Sequence, residues 1–291
     1  MSVPIQLLWV VILACILWGA IGSSQVVHQP RYLPFVTPSD YGLLWKPLRL
    51  LTADKIPIAC WLIRHPEPKG IILLLHGFGT CKADLLDLAQ SFSVRGEYHL
   101  VLFDFRGHGE SGGSTISFGK QEVQDIAAVL GFLSRDADLG KLPIGCLGIS
   151  MGGSIGLVAA ARFPEIQAVV SDSAYLDFSK AIARAIRMSY YIPRFPLGQI
   201  VIWATQLRLR SRLCSLSPGN IIGAVSPRPI MIIHGTHDKT TPFQEAEMLF
   251  HLAREPKRFW LVNEVEHVGA FFKEKEEYLQ RVLEFFRDGL R

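Results

Sequence analysis

The chain has 291 residues and a mass of 32.5 kDa; 49% of its residues are apolar and 19% are charged. This length suffices for one large domain or two small ones, and the composition excludes a disordered tail, a collagen-like fibre and a coiled coil. A formal net charge of +4 is too small to indicate nucleic-acid binding. The five cysteines are scattered and include no CxxC pair, so they indicate neither a disulfide framework nor a zinc ribbon.

The first element in the chain is an apolar segment at residues 4–21 that contains no charged residue. As a helix it would extend about 27 Å, close to the roughly 30 Å of a bilayer's hydrocarbon core. We therefore expect residues 1–22 to form a single-pass membrane anchor. The alternatives are a cleaved signal peptide, which would lack a basic n-region, a lipoprotein signal ending at Cys15, and a buried soluble helix.

The basic residues around this segment indicate on which side of a membrane the rest of the chain would lie. No Lys or Arg precedes the apolar segment, whereas Arg31, Lys46 and Arg49 follow it. The positive-inside rule therefore favours a cytoplasmic main body, and the scattered cysteines agree with a reducing compartment. Residues 23–43 contain three prolines and lack apolar periodicity, which predicts an extended linker.

From residue 44 onward, short apolar runs alternate with amphipathic stretches. The expected strands are 44–52, 56–64, 71–75, 99–104, 144–149, 166–171, 230–234 and 258–262; the expected helices between and after them are 83–95, 120–134, 151–162, 243–254 and 271–287. This alternation predicts an α/β fold whose sheet of about eight strands is mostly parallel, antiparallel at one edge and covered by helices on both faces. Such a sheet places its functional residues beyond the carboxyl ends of its strands.

One strand-to-helix junction carries the sequence Gly-Ile-Ser-Met-Gly at residues 148–152. A nucleophilic serine needs a sharp, strained turn that exposes its hydroxyl, and flanking glycines remove the Cβ atoms that would clash there. The pattern is short, but its place between a strand and a helix is typical of such a turn. Ser150 is therefore the candidate nucleophile.

The loop after the third strand reads His-Gly-Phe-Gly at residues 76–79. Glycines in this position allow backbone N–H groups to face a developing oxyanion. The N–H groups of Phe78 and Met151 are therefore the expected oxyanion hole. We expect His76 to organise this loop by hydrogen bonding rather than to transfer protons.

A second glycine-rich loop, at residues 104–111, follows the fourth strand. Its Asp104 and Arg106 are suited to charge-assisted hydrogen bonds with neighbouring loops. We expect this loop to support the site without taking part in the chemistry.

The last two strands are followed by an acid and a histidine. Asp238 comes after the strand at 230–234, and His267 comes after the strand at 258–262. The order serine, acid, histidine is that of the α/β-hydrolase triad and differs from the order in chymotrypsin and subtilisin.

Two other interpretations of these residues remain open. Asp172, at the end of the strand that follows Ser150, is an alternative acid. His234, His237 and Asp238 could form a metal site, although two imidazoles on one loop without a further ligand motif support it poorly. We expect neither a metal nor an organic cofactor.

Taken together, these motifs resemble those of the α/β-hydrolase superfamily, and most of all its single-domain prolyl-oligopeptidase-related and lysophospholipase-like branches, several of which carry amino-terminal membrane anchors. The resemblance covers residues 44–291, which we expect to form one hydrolase domain. It implies that Ser150 is the nucleophile, His267 the general base and then acid, and Asp238 the orienting carboxylate. The motifs are specific for the fold and for serine hydrolysis, but not for a substrate.

Residues 174–225 interrupt the alternation of strands and helices at the place where members of this superfamily insert a cap. Apolar stretches at 181–188 and 197–209 predict helices in it. Against the single acid Asp177 stand seven basic residues: Lys180, Arg184, Arg187, Arg194, Arg208, Arg210 and Arg212. We expect the apolar side to cover the catalytic pocket; the basic residues are either solvated or lie against an anionic membrane surface.

The sequence thus predicts a membrane-anchored serine hydrolase that cleaves a carboxylic ester or thioester through an acyl-enzyme. The anchor and the apolar cap favour a lipid-like or acyl substrate. The alternatives are a serine peptidase or amidase that uses the same triad, and a non-catalytic binding protein of the same fold. The expected partners are a small-molecule or lipid ester and the membrane, and not nucleic acid.

Overall fold

The computed structural model of the chain describes residues 5–190 and 194–290. Three short parts of the predictions lie outside the described residues. These are residues 1–4 of the expected anchor, residues 191–193 of the expected cap and residue 291 at the end of the expected hydrolase domain.

Within the described residues, eight strands form one sheet. They are β1 (Trp45–Leu51), β2 (Pro57–Ile63), β3 (Gly70–Leu75), β4 (Tyr98–Phe103), β5 (Ile144–Ile149), β6 (Ile166–Asp172), β7 (Ile230–Gly235) and β8 (Lys257–Val262). Their spatial order is β1-β2-β4-β3-β5-β6-β7-β8. The strands from β4 to β8 in this order are parallel, and β2 is antiparallel to both β1 and β4. The predicted mostly parallel sheet with an antiparallel edge is confirmed.

Helices cover both faces of this sheet. They are α1 (Ile5–Val27), α2 (Leu86–Arg95), α3 (Glu122–Arg135), α4 (Met151–Arg162), α5 (Phe178–Tyr190), α6 (Gln199–Leu209), α7 (Pro218–Ile221), α8 (Phe243–Leu252), α9 (Ala270–Lys273) and α10 (Lys275–Gly289). Successive side chains of a strand point to opposite faces. Accordingly Leu73 belongs to the apolar cluster with α3, α4 and α8, and its neighbour Leu74 belongs to the cluster with α2 and α10.

Several helices differ from their predicted bounds, and three of the predicted stretches differ in how they are divided or extended. The stretch predicted as one helix at 83–95 begins with the 3-10 turn Lys82–Leu85, and the one predicted at 271–287 is divided into α9 and α10. The amino-terminal helix α1 continues to Val27, so residues 23–27 of the expected linker are helical. Its extension is stabilised by packing against α6, a contact between segments far apart in the sequence.

The amino-terminal helix is also the candidate for a membrane span among the described residues. Its segment Leu7–Val27 is long and apolar enough to cross a bilayer. A signal sequence or a buried helix passes the same test of length and composition. The proposed division of the chain into anchor, linker and hydrolase domain therefore stays a prediction.

The loop after β4 holds a buried ion pair. The Nζ atom of Lys82 is 2.7 Å from Oδ2 of Asp104 and 2.6 Å from Oε2 of Glu110, and the Lys82 and Asp104 side chains have no exposed surface. Asp104 also accepts hydrogen bonds from the backbone N–H groups of Lys82 and Glu110. Arg106, in the same loop, pairs with Asp54 and Asp125. The predicted charge-assisted hydrogen bonds of Asp104 and Arg106 are confirmed, and the absence of a chemical role for this loop stays a prediction.

The substitution Lys82→Met is expected to lower the free energy of unfolding by about 3–5 kcal/mol, because it leaves the Asp104 carboxylate buried without its cation. Urea unfolding of the full chain in detergent measures this loss. The matched control is Lys69→Met, which removes an exposed ion pair with Glu97 and should cost less than about 1 kcal/mol. Equal effects of the two substitutions would contradict a structural role for the Lys82 pair.

Candidate active site

Ser150 lies at the sharp turn between β5 and α4. Its backbone has φ 56° and ψ −117°, a strained conformation for a residue with a side chain. A Cβ atom on Gly148 would lie 2.2 Å from the backbone oxygen of Gly152, and a Cβ atom on Gly152 would lie 2.3 Å from that of Leu75. Both flanking glycines are therefore required by the turn, as the sequence indicates.

The side chains of Ser150, His267 and Asp238 form a hydrogen-bonded chain. The Ser150 Oγ atom is 2.8 Å from Nε2 of His267, and Nδ1 of His267 is 2.6 Å from Oδ2 of Asp238. The three residues follow β5, β8 and β7, so they meet at the carboxyl edge of the parallel sheet. The structure thus brings together the three residues that the sequence singled out, and their catalytic roles stay a prediction.

Asp238 is held as a carboxylate by its neighbours. Its Oδ1 atom accepts a hydrogen bond of 2.7 Å from the N–H of Thr241, and its Oδ2 atom is 3.3 Å from Nε2 of His234. Burial by itself would raise the pKa of Asp238, but hydrogen bonds from His234 and His267 outweigh it and lower the pKa to about 2. At neutral pH this acid is therefore ionised and can accept a hydrogen bond from the Nδ1–H group of His267.

His234 has a role that the sequence did not reveal. The sequence indicates it only as a possible metal ligand, whereas in the structure its Nε2 atom lies 2.7 Å from the backbone oxygen of Thr241 as well as near Asp238. The imidazole is fully buried and supports the loop that carries the acid. Its position in β7, four residues before Asp238, was the available signal.

Asp172, the alternative acid, is engaged elsewhere. Its Oδ1 atom accepts a hydrogen bond of 2.9 Å from Ser173 Oγ, and its Oδ2 atom accepts one of 3.1 Å from the hydroxyl of Tyr278. Burial raises the pKa of this carboxyl. The hydrogen bond to His267 is made by Asp238.

The two expected oxyanion-hole donors belong to segments next to Ser150, since a Cβ atom on Gly77, the residue before Phe78, would lie 3.6 Å from the Cβ atom of Ser150. Phe78 lies in the loop after β3, and Met151 is the first residue of α4. Among the described residues, neither N–H group is used in a turn or loop hydrogen bond. Their role as oxyanion donors stays a prediction.

His76 organises the loop that carries Phe78, as predicted. Its Nδ1 atom is 2.7 Å from the backbone oxygen of Gly77, and its Nε2 atom accepts a hydrogen bond of 3.0 Å from the N–H of Phe105. Complete burial lowers the pKa of His76 to about 3, which keeps the imidazole neutral. A neutral ring with its proton on Nδ1 satisfies both contacts.

Tyr175 is a residue of the site that the sequence analysis missed. Its hydroxyl is 3.0 Å from Ser150 Oγ, and its ring is stacked on that of His267. The backbone N–H of Tyr175 donates to Ser154 Oγ, which fixes the residue to α4. Burial raises the pKa of Tyr175, so the phenol keeps its proton. Its position, three residues beyond the carboxyl end of β6, was the only signal in the sequence.

A cavity of about 400 Å³ adjoins these residues. Phe78, Phe118 and Tyr175 line it, together with residues of α1, α5 and α6 and with Gln29, which follows α1. The residues that line it within the described chain are apolar or uncharged. Its size lies within the roughly 300–1,000 Å³ that is usual for small-molecule sites.

Comparisons with known proteins relate the chain to hydrolases. The model of the family Hydrolase_4, described as "Serine aminopeptidase, S33", matches residues 66–215, just over half of the chain. The chain is 28% identical over 260 residues to the protein YqkD of Bacillus subtilis, covering 89% of this chain and 80% of YqkD. It is also 35% identical over 100 residues to a monoacylglycerol lipase of Mycolicibacterium smegmatis, covering 34% of this chain and 35% of the lipase.

A solved structure gives the same fold. The esterase Pf2001 of Pyrococcus furiosus superposes with a TM-score of 0.77 at 24% sequence identity, covering 90% of this chain and 98% of the esterase. At this level of identity the likeness concerns the fold, and the expected α/β-hydrolase architecture is confirmed.

The substitution Asp238→Asn is expected to change how stability depends on pH. Because the pKa of Asp238 is lowered, its carboxylate stabilises the folded state at pH values above 3.8, the ordinary pKa of this group. This contribution is lost as the pH falls toward about 2. The thermal midpoint of the wild type should therefore approach that of the variant over this interval. The control is Asp138→Asn, at an exposed carboxylate, for which the difference in thermal midpoint from the wild type should not shrink over this interval. If the difference in thermal midpoint between the wild type and Asp238→Asn stays constant, the Asp238 carboxylate does not stabilise the fold.

Proposed function

Because the chain belongs to the family described as serine aminopeptidase, S33, within the α/β hydrolases, we propose that it is a serine hydrolase that cleaves a carboxylic ester or thioester of a lipid-like or acyl substrate. The observation that carries the proposal is the hydrogen-bonded chain from Ser150 through His267 to Asp238. Its order and geometry are those that nucleophilic catalysis by serine requires.

In the proposed mechanism, His267 removes the proton of Ser150 as its Oγ atom attacks the carbonyl carbon of the substrate. Asp238 holds the proton on Nδ1 of His267 and stabilises the imidazolium that forms. The imidazolium then protonates the leaving alcohol or thiol, which leaves the acyl group on Ser150. Water activated by His267 releases the carboxylic acid and regenerates the serine.

The negative charge on the carbonyl oxygen needs donors that are already in place. The N–H groups of Phe78 and Met151 are the proposed pair, because Met151 follows the serine, Phe78 follows Gly77 beside it, and neither N–H is used in a loop hydrogen bond among the described residues. Tyr175 provides a further hydrogen-bond donor, which points at the nucleophile and not at the carbonyl oxygen, since its protonated hydroxyl lies 3.0 Å from Ser150 Oγ. Its hydrogen bond would stabilise the charge that develops on Oγ as the proton leaves.

The cavity favours an apolar ester over a peptide. A family described as aminopeptidase suggests amide hydrolysis as the second candidate function. An aminopeptidase must bind a charged amino terminus, and an unpaired ammonium is costly to desolvate. Of the described residues that line the cavity, none carries the carboxylate that would pair with it. A non-catalytic binding protein is the third candidate, and the hydrogen-bonded chain argues against it.

Membrane attachment is part of the proposal and rests on the apolar helix α1, whose segment Leu7–Val27 is long enough to span a bilayer. The positive residues after it favour a cytoplasmic catalytic domain. Arg208 of the basic cap donates hydrogen bonds to Ser23 Oγ and to the backbone oxygen of Ala20 in α1. Contact of the cap with anionic lipid would therefore depend on its other exposed basic residues, Lys180, Arg187, Arg210 and Arg212.

The substitution Ser150→Ala should lower kcat for p-nitrophenyl esters by a factor on the order of 10⁶, because it removes the nucleophile. It should also abolish covalent labelling by a fluorophosphonate. The exposed Ser134→Ala serves as control and should keep both properties. Fluorophosphonate labelling that persists in Ser150→Ala would refute the assignment of the nucleophile. A panel of esters, thioesters and aminoacyl amides then separates the first candidate function from the second.

The substitution Tyr175→Phe should lower kcat by about tenfold and leave KM nearly unchanged, because it removes one hydrogen bond to a developing charge. Steady-state kinetics and the thermal midpoint are measured together, with Tyr41→Phe as the matched control away from the site. A purely structural role predicts instead that kcat and the thermal midpoint fall together. An unchanged kcat would also exclude the proposed role of the hydroxyl.

A further inference from the structure

The last turns of α1 form part of the wall of the catalytic cavity. Trp18, Ile21, Gly22, Gln25 and Val26 of this helix line the same cavity as Phe78 and Tyr175 at the catalytic end. The amino-terminal helix therefore belongs to the substrate-binding region as well as to the proposed anchor.

Close packing fixes this part of α1 against the cap. A Cβ atom on Gly22 would lie 2.5 Å from a methyl group of Val201 in α6, and one on Gly19 would lie 3.0 Å from Ile200. These glycines therefore allow the two helices to approach closely. The Trp18 Nε1–H group donates a hydrogen bond of 3.3 Å to the backbone oxygen of Leu197.

The end of α1 is also tied to the body of the hydrolase domain. Val27 is fully buried, and its backbone oxygen accepts a hydrogen bond of 2.8 Å from the N–H of Ile116. Beyond the helix, the Arg31 guanidinium donates to the backbone oxygens of Ser111 and Gly113. A helix held at both its side and its end can form a fixed wall.

The first part of the helix has a different environment. Its large apolar side chains are exposed: Leu7, Leu8, Trp9, Val10, Val11, Ile12, Leu13, Ile16 and Leu17. This surface continues to Ile21, which is half exposed and also lines the cavity. One helix thus joins a surface suited to lipid with a cavity that is lined by Tyr175, whose hydroxyl contacts Ser150.

We infer that this cavity binds the long acyl chain of an ester drawn from the bilayer, with α1 as one of its walls. The inference deepens the proposed function and rests on it. On the opposite side the cap contributes Ile182 and Ile186, so the chain would lie between apolar surfaces. Its carboxyl end would then reach Ser150 beside Tyr175. Cleavage after α1, as for a signal peptide, would remove this wall, so the helix is retained in the working enzyme.

The experiment compares Ile21→Trp with Ile16→Trp in the full chain, reconstituted in lipid nanodiscs. Both isoleucines are exposed on α1. Ile21 is one of the described residues that line the cavity, and Ile16 is not. The measured quantity is the ratio of kcat/KM for p-nitrophenyl laurate to that for p-nitrophenyl acetate. An indole in the cavity should lower this ratio by at least about tenfold in Ile21→Trp. The ratio should stay within about twofold of wild type in Ile16→Trp.

Three outcomes separate this inference from the proposed function. If the wild type hydrolyses both esters and the two variants have equal ratios, the acyl-binding role of α1 is wrong and the proposed function stands. If the wild type hydrolyses neither ester, the proposed function is wrong. The cavity is then tested directly by photolabelling Ser150→Ala with a diazirine-bearing palmitic acid. Labelling of the peptide that contains Phe118, lost on adding Ile21→Trp, supports acyl binding; labelling that is absent or insensitive to Ile21→Trp refutes it.

Discussion

The hydrogen bond between the Ser150 hydroxyl and the His267 imidazole is the contact on which the rest of the candidate active site depends. It joins loops that are 117 residues apart in the chain. The parallel sheet brings these loops to one edge, because the strands that precede Ser150, Asp238 and His267 all point in the same direction. The strained backbone of Ser150 and the buried acid behind His267 then set the distance and direction of this one bond.

Beneath that edge, buried charges are paired with opposite charges or with hydrogen-bond donors. Lys82 pairs with Asp104 under the loop of the expected oxyanion hole, and Asp238 is surrounded by donors from Thr241, His234 and His267. An unpaired charge in these positions would be costly, so each pair also fixes the loop from which it comes. The same electrostatic interactions that stabilise the fold therefore hold the site rigid before substrate binds.

The amino-terminal helix connects two parts of the protein that the sequence presents as separate. Its exposed first part has the character of a lipid-facing surface, and its last turns pack on α6 and line the same cavity as Phe78 and Tyr175. For an enzyme of apolar esters this arrangement has a physical advantage. A long acyl chain could pass from the bilayer to the serine without exposing its surface to water, which would cost free energy for each methylene.

The sequence by itself determined the sheet, the nucleophile turn, the acid and the histidine, because each is encoded locally. A run of apolar residues makes a buried strand, Gly148 and Gly152 make the turn possible, and Asp238 and His267 simply follow strands. The tertiary structure decided the contact of Tyr175 with Ser150, the support that His234 gives to Asp238, and the packing of α1 against the cap. These are contacts between segments whose own patterns do not specify a partner, so they become definite only when the whole chain is packed.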